Sequence, residues 1–137
     1  MVTYRELRER QQAEFNKFPF FCAFDEKQFA EGKRKLGVVE DSEVRHYYAG
    51  MYYRKADTEA LRAMMRRFDD ERKAAFKDDS FLYDAFYHEL ANHEYCITYD
   101  DEPTLEALGL TVEELEEDQR MGKIYLKARK DYLGETY

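Results

Sequence analysis

VRHYYAGMYYRK, residues 44–55, decides the fold because it is dense in β-branched and aromatic residues. Such residues favour strands, since their side chains pack well on a pleated surface. Ala49 and Gly50 stand in the middle, where small residues allow a bulge, a turn or the close approach of another group. The stretch therefore predicts either one strand or a tight hairpin, and the chain must contain a sheet.

Two further stretches have the character of strands. FPFFCAF contains a short aromatic run that suits a buried strand near residues 20–24. In EYCITY, Tyr95, Ile97 and Tyr99 alternate with Cys96 and Thr98, which is typical of a third strand. Together the three stretches predict a small, mostly antiparallel sheet of about three strands.

The rest of the chain has helical patterns with recognisable ends. A capping box from Thr3 to Glu6 predicts a first helix over residues 4–17, and Asp25 caps a second helix that stops at Gly37. A third helix opens at Asp57 or Thr58, and a fourth follows over residues 81–93 after Asp79 or Ser80. Shorter helical turns near residues 103–108 stop at Gly109. A last helix starts at Thr111 and is kinked or split at Gly122. We therefore expect a single α+β domain over residues 1–137 with about five helices.

Composition narrows the class of protein. The chain has 12 Tyr, 10 Phe and no Trp, which predicts a core built from aromatic rings. No window is apolar enough for a membrane span and residues 1–20 have no signal-peptide core, so we expect a cytoplasmic protein without a membrane partner. Cys22 and Cys96 have apolar or aromatic neighbours, which favours reduced core thiols, although a single bridge between them stays open.

The stretch YHELANHEYCIT, residues 87–98, resembles the helix of zinc hydrolases, but the spacing is wrong. Zinc binding from one helix requires His at positions i and i+4 with Glu at i+1. Here His88 and His93 are five residues apart and point roughly 140° away from each other on a helix. Asn92 occupies the position of the second ligand. The spacing therefore excludes this zinc site, and we predict no metal and no cofactor.

Glu89 and His93 nevertheless fall on the apolar face of the fourth helix, formed by Phe81, Leu82, Ala85, Phe86 and Leu90. In the favoured interpretation, His93 donates to Glu89 or to a backbone carbonyl and fastens the helix to the next segment. In the alternative, Glu89 and His93 form a catalytic or metal site with Tyr95, Cys96, Cys22 and His46 as companions. His88 lies on the polar face with Asp84 and Asn92, and we expect it to be solvated.

Other common chemistries lack their motifs. The six glycines match no nucleotide-binding loop and no serine hydrolase elbow, and the acidic residues lack the order of a calcium loop. A basic stripe of Arg62, Arg66, Lys73 and Lys77 is interrupted by acids, which favours a solvated helix face over direct contact with nucleic acid.

Net charge is concentrated in one segment. The formal charge of the chain is -8, from 30 acidic and 22 basic residues. Residues 99–119 contain no Lys or Arg and nine acids, which we call the acidic segment: Asp100, Asp101, Glu102, Glu106, Glu113, Glu114, Glu116, Glu117 and Asp118. Such a row of carboxylates can bind a basic surface of another protein, as an inhibitor or as a mimic of nucleic acid. It can equally serve helix starts and solubility.

FPFFCAFDEKQFAEGKRKLG and FYHELANHEYCITYDDEPTLEALGLTVEE together resemble a small family of uncharacterised bacterial proteins associated with phage-like and other mobile elements. The two segments are well separated in the chain. The family has no established activity or catalytic residues, so the resemblance implies only a cytoplasmic accessory protein that acts against host defence or on phage functions.

Three functional hypotheses follow. The preferred one is a non-enzymatic protein that binds a basic partner protein through the acidic segment. The second is an enzyme or metal protein centred on Glu89 and His93. The third is a structural or self-associating protein, in which the tyrosines of HYYAGMYY form the face of a homodimer.

Overall fold

The computed structural model describes residues 2–136 of the chain. Within them lie eight α-helices, five of which have seven residues or more, and one three-stranded antiparallel sheet. The predicted α+β fold class is therefore confirmed. The helices are α1 (Tyr4–Asn16), α2 (Glu26–Lys35), α3 (Thr58–Ala75), α4 (Asp79–Asn92), α5 (Tyr95–Thr98), α6 (Glu102–Ala107), α7 (Val112–Glu117) and α8 (Gln119–Thr136). The strands are β1 (Phe20–Cys22), β2 (Val44–Tyr48) and β3 (Met51–Arg54).

The chain divides into two compact units, whose boundaries fall inside α1 and α3. The sheet unit contains residues 11–68, and the helical unit contains residues 2–10 together with 69–136. That residues 1–137 form a single domain stays a prediction. None of the described helices is both long enough and apolar enough to span a membrane.

The sheet unit is built on the hairpin of β2 and β3. Its strand order is β1-β3-β2, with antiparallel pairing throughout. The turn contains Ala49 in the left-handed region, with φ 49°, followed by Gly50. A Cβ atom at Gly50 would lie 2.5 Å from the ring of Phe24, so a larger residue would require this exposed ring to move. Of the two predicted forms of residues 44–55, the hairpin is the correct one.

Aromatic rings cover both faces of the sheet. On one face, Tyr52 stacks on Phe21 and meets the edge of Phe29 from α2. On the other face, the ring of Phe20 packs against Phe15 and Phe18. Alternation along the strands, in which successive side chains point to opposite faces, explains how one short sheet holds two aromatic layers. The aromatic core expected from composition is present here.

The helical unit is centred on α4, which packs against α6 and α8. The predicted apolar face is buried, and Leu82, Ala85, Phe86 and Leu90 are each 0% exposed. The helix begins at Asp79, capped by the carboxylate of Asp78, so its predicted start was two residues late. An Asp at the N-cap accepts a hydrogen bond from one of the backbone N–H groups in the first turn, which have no partner inside the helix.

The prediction of a third strand at residues 94–99 is wrong. Glu94 and Tyr99 both have φ 51°, in the left-handed region, and they enclose the single helical turn α5. The backbone N–H of Ile97 donates to the Glu94 carbonyl at 2.9 Å, so the turn needs no partner strand. Tyr95 is buried, whereas Ile97 is 73% exposed. The two side chains would share one face of a strand, but in a helical turn they point in different directions.

The break in the last helical region lies at Asp118, not at Gly122 as predicted. Asp118 is extended, with φ -112° and ψ 100°, and its carboxylate accepts from the N–H of Met121 at the start of α8. Gly122 lies inside α8, where a Cβ atom would be 3.0 Å from the carbonyl oxygen of Leu115. The glycine therefore allows α7 to approach α8 closely.

The cysteines differ from the expected pair of core thiols. Cys22 is exposed on β1, where its side chain points away from the buried Phe21 and Ala23, and Cys96 is half-buried in α5. No disulfide is formed among the described residues. Alternation along the strand explains the exposure of Cys22, because Phe21 and Ala23 occupy the inward positions.

Candidate functional site

Glu89 is a buried acid in the middle of α4, with 2% of its surface exposed. The hydroxyl of Tyr4 donates to its Oε2 at 2.7 Å, and the amide of Asn92 donates to its Oε1 at 3.2 Å. Burial, together with the hydrogen bond to Glu89 and its charge, raises the pKa of the Tyr4 hydroxyl well above the usual value. Tyr4 therefore remains a donor, and Glu89 has its partners within the helical unit.

His93 ends α4 and lies close to Glu89 without a hydrogen bond. Its Nε2 is 3.7 Å from Glu89 Oε1, beyond hydrogen-bond distance, and has no hydrogen-bond partner although the atom is buried. The backbone N–H of His93 donates to the carbonyl of Glu89 at 3.0 Å. The structure thus brings the two candidate residues together, but the imidazole Nε2 does not form the hydrogen bond to Glu89 that the favoured interpretation allowed.

The proposed companions of this pair lie in different surroundings. Tyr95 and Cys96 belong to the helical unit, where the N–H of Cys96 faces the hydroxyl of Tyr132 at 3.5 Å. Cys22 and His46 belong to the sheet unit. There the ring of His46 packs on Tyr52, and its Nε2 donates to the carbonyl of Ala49. Within residues 2–136, no group of three or more His, Cys, Asp and Glu side chains is arranged to hold a metal ion.

His88 is less exposed than the expected solvated side chain. It is half-buried, its Nε2 accepts from Arg8 Nη1 at 2.7 Å, and its ring meets the ring of Tyr4 edge-on at 5.5 Å. His88 is partly covered because Tyr4 and Arg8 of α1 lie against this side of α4. A helical wheel cannot show which neighbouring helix covers a polar face.

The acidic segment forms α6 and α7 and the connections around them. Seven of its nine acids are exposed: Asp100, Glu102, Glu106, Glu113, Glu114, Glu116 and Glu117. Asp101 and Asp118 are half-buried and have structural partners. Asp118 caps α8, and Asp101 accepts from the hydroxyl of Tyr125 and from Arg129 Nη1. These two residues are therefore part of the scaffold rather than of a free acidic surface.

An apolar groove lies inside the helical unit, within the region of these acids. It has a volume of about 320 Å³ and is enclosed by α6, α7 and α8. Leu126 on its wall is 53% exposed and Val112 is 38% exposed, so much apolar surface stays in contact with solvent. We call this the α6–α8 groove; its lining residues are Asp101, Leu105, Val112, Leu115, Glu116, Gly122, Tyr125, Leu126 and Arg129.

Arg129 forms the polar end of the α6–α8 groove. Its guanidinium lies over the rings of Tyr95 and Tyr125, at 5.9 Å and 5.6 Å from their centroids. Its Nη1 donates to Asp101 Oδ1 at 3.3 Å and to the Tyr95 hydroxyl at 3.4 Å. Burial, followed by the hydrogen bond to Asp101, raises the pKa of Tyr125. The cluster therefore consists of a guanidinium, a carboxylate and two phenols.

The turn α5 adds exposed apolar surface beside this cluster. The Tyr95 ring that contacts Arg129 also meets the ring of Tyr99 edge-on at 5.7 Å, and Tyr99 is 57% exposed. Ile97 in the same turn is 73% exposed. Large apolar side chains exposed together mark a surface on which another molecule can bury area.

The sheet unit also contains an open cleft, of about 700 Å³, beside Phe24 and the start of α2. Two of its carboxylates have partners, since Asp25 caps α2 and Asp41 pairs with Lys33 at 2.5 Å. The cleft belongs to a different unit from the acidic segment.

Sequence reasoning found Glu89, His93 and the acidic segment, but it missed the α6–α8 groove and Arg129. The available signal was the change of apolar face at Gly122, where Val112, Leu115 and Leu126 fall on one side. No local pattern could have identified Arg129, because its partner Asp101 is 28 residues away in the chain.

Comparison with known proteins gives a family without an assigned function. No curated protein and no solved structure matches the chain. A family of unknown function agrees with the expectation of an uncharacterised family, and its description names neither phage nor mobile elements. Because the model described as "Family of unknown function (DUF7659)" matches residues 3–131, the chain belongs to this family.

Proposed function

We propose that the protein acts without enzymatic chemistry, by binding an amphipathic basic segment of a partner protein in the α6–α8 groove. The observation that carries the proposal is the combination of an apolar groove with exposed carboxylates on the helices that enclose it. Interfaces commonly have an apolar centre and a polar rim. Apolar side chains of the partner would enter between Leu115 and Leu126, while its basic side chains would meet the surrounding acids.

Charge complementarity supports a basic partner. Glu113, Glu116 and Glu117 are exposed on α7, and no hydrogen bond from the described residues engages their side chains. The acidic segment contains no Lys or Arg that could neutralise them locally. Such a surface speeds encounter with a positively charged protein and repels nucleic acid.

The apolar groove also bears on the form of recognition. A mimic of nucleic acid needs only rows of carboxylates, and exposed Leu126 or Val112 would add nothing to it. A protein segment that has both apolar and basic side chains uses both features. We therefore favour a peptide-like segment over a wide basic groove as the partner surface.

The alternative function, an enzyme or metal protein at Glu89 and His93, has weaker support. Glu89 is 2% exposed, and Tyr4 and Asn92 already bind its carboxylate, so a substrate has no direct access to it. A self-associating role through HYYAGMYY rests on two exposed tyrosines of β2, Tyr48 at 71% and Tyr47 at 36%. The cytoplasmic, mobile-element setting rests on the resemblance of sequence and is part of the proposal.

The proposal is tested by calorimetric titration with three short synthetic helices. One contains lysine and leucine at amphipathic spacing, one replaces the leucines by serine, and one replaces the lysines by glutamate. We expect the lysine–leucine peptide to bind most tightly, at least about tenfold better than either of the others. Its affinity should fall as salt rises, because exposed charges are screened over a Debye length of about 10 Å at 0.1 M salt.

Two triple variants with the same change in net charge provide the control. E113K/E116K/E117K reverses charges on α7, and E31K/E40K/D70K reverses exposed acids elsewhere. We expect the first variant to lose at least about tenfold in affinity and the second to lose little. Equal losses in the two variants, or equal binding of all three peptides, would overturn the proposal.

A further inference from the structure

We infer that the polar end of the α6–α8 groove selects a carboxamide, the side chain of Asn or Gln, on the segment that binds there. This inference rests on the proposed function, because it names the side chain by which the partner segment is recognised. It depends on the geometry of Arg129 and Asp101 and on the charges around them.

Arg129 offers hydrogen-bond donors in a fixed position. The guanidinium lies over the rings of both Tyr95 and Tyr125, and these two contacts limit its freedom. Only Nη1 donates to neighbouring side chains, and both of its bonds are long, at 3.3 Å and 3.4 Å. The residues that the structure describes give no acceptor to Nη2 or Nε. A guanidinium has five N–H donors, so several stay available to a ligand in the groove.

Asp101 offers an acceptor beside these donors. Its Oδ1 accepts from both the Tyr125 hydroxyl and Arg129 Nη1. Its Oδ2 accepts no hydrogen bond from any described residue. Asp101 and Arg129 both line the groove, so donors and an acceptor stand together at one end of an apolar surface.

A charged ligand group would face at least one like charge at this end of the groove. An incoming carboxylate would meet Asp101 and Glu116, and an incoming ammonium would meet Arg129. Like charges placed together cost binding free energy, which makes a neutral group the better fit. A purely apolar side chain would cover Arg129 and Asp101 without satisfying them, which also carries a penalty.

A carboxamide satisfies both sides at once. Its carbonyl oxygen accepts from the Arg129 guanidinium, and its NH₂ group donates to Asp101 Oδ2. The rest of a Gln side chain is a short aliphatic stem that suits the apolar wall of Leu105 and Leu126. Arg129 is therefore a specificity-determining residue of the groove, and Tyr95 and Tyr125 are its positioning residues.

The test is a scan of the lysine–leucine peptide, in which each leucine is replaced in turn by Gln, Glu or Lys. We expect Gln at one position to raise the affinity at least about fivefold over the parent peptide, and Glu or Lys at that position to lower it. In Arg129→Lys, which keeps the charge but loses the planar fork, the advantage of Gln should fall to within about twofold. The readout is the ratio of the affinities of the Gln peptide and the parent peptide, measured separately in wild type and in Arg129→Lys.

The outcomes separate this inference from the proposed function. If the parent peptide binds and no position prefers Gln, the carboxamide inference is wrong and the groove proposal stands. If Gln is preferred equally by wild type and Arg129→Lys, Arg129 is not the selecting residue and the inference is likewise wrong. If no peptide binds the wild-type protein at all, both fail.

Discussion

Glu89 shows how a hydrogen bond from another helix satisfies a buried carboxyl group. The side chain lies among fully buried apolar residues, and the Tyr4 hydroxyl reaches its Oε2 from another helix. A buried polar group that loses its partner costs about 1–3 kcal/mol, more than the hydrogen bond itself contributes. The contact therefore fastens the first turn of α1 to α4 within the helical unit.

The first prediction concerns Tyr4→Phe. We expect the free energy of unfolding to fall by about 1–3 kcal/mol, because Glu89 keeps its burial and loses a donor. Urea unfolding followed by circular dichroism measures the change. Tyr83→Phe is the matched control: its hydroxyl donates to the partly exposed Asp131 at 2.6 Å, and we expect a loss below about 1 kcal/mol. Equal losses would show that the Tyr4–Glu89 contact is not special.

The second prediction concerns alkaline pH. Burial raises the pKa of both Tyr4 and Tyr125 in the folded protein. Their contribution to stability is therefore complete below the ordinary phenol pKa of about 10 and is lost as the pH rises above it. We expect the urea midpoint of wild type to fall above about pH 10, and to fall less in Tyr4→Phe and Tyr125→Phe.

Tyrosinate absorbance provides an independent readout of this pH dependence, since the chain has no Trp. Tyr4 and Tyr125 should stay protonated in the folded protein at a pH at which they ionise in urea. The folded protein should therefore show less tyrosinate absorbance than the unfolded protein at that pH. If both variants kept the wild-type pH dependence, the two hydroxyls would not be the groups that couple stability to pH.

At the scale of elements, the approach of α7 to α8 shapes the groove. α7 has only six residues and none of them is fully buried, so its position depends on the close contact at Gly122. A short helix with few buried side chains opens more readily than the core does. A substitution at the contact between α7 and α8 is therefore expected to alter the shape of the groove.

The third prediction compares two glycines of α8. Gly134→Ala meets no atom within 4 Å, so helix propensity should stabilise the protein by up to about 1 kcal/mol. Gly122→Ala should lack this gain or destabilise, because its Cβ would press on the Leu115 carbonyl at 3.0 Å. Thermal unfolding of the two variants measures the difference. A greater stability of Gly122→Ala than of Gly134→Ala would contradict the described contact of α7 with α8.

Elements also show what the sequence could and could not predict. Caps and breaks were readable, because Asp25, Gly109 and Thr111 act through neighbours only a few residues away. The segment EYCITY was misread as a strand because its alternation is real, yet its fate depends on whether a partner strand exists nearby. Glu89 was found from the helical period alone. Its partner Tyr4, 85 residues away, and the cluster of Arg129 depend on tertiary packing that no local pattern encodes.

Across the whole molecule, the excess of negative charge lies in one segment of the sequence, the acidic segment. In the structure, the helices of this segment line the apolar α6–α8 groove. The acidic segment folds into α6 and α7 around Leu105 and Leu115, and α8 completes the groove. Acids placed only for solubility would not need such a groove. Acidic side chains and exposed apolar surface therefore occur together in the region of α6, α7 and α8.

A titration of the isotope-labelled protein with the lysine–leucine peptide, followed through backbone amide NMR shifts, maps the binding surface residue by residue. The account predicts saturable shifts at the amides of Leu105, Leu115 and Leu126 and their neighbours on α6 to α8, with little change in β1, β2 and β3. Shifts concentrated in the sheet unit, or no saturable shift at all, would contradict it.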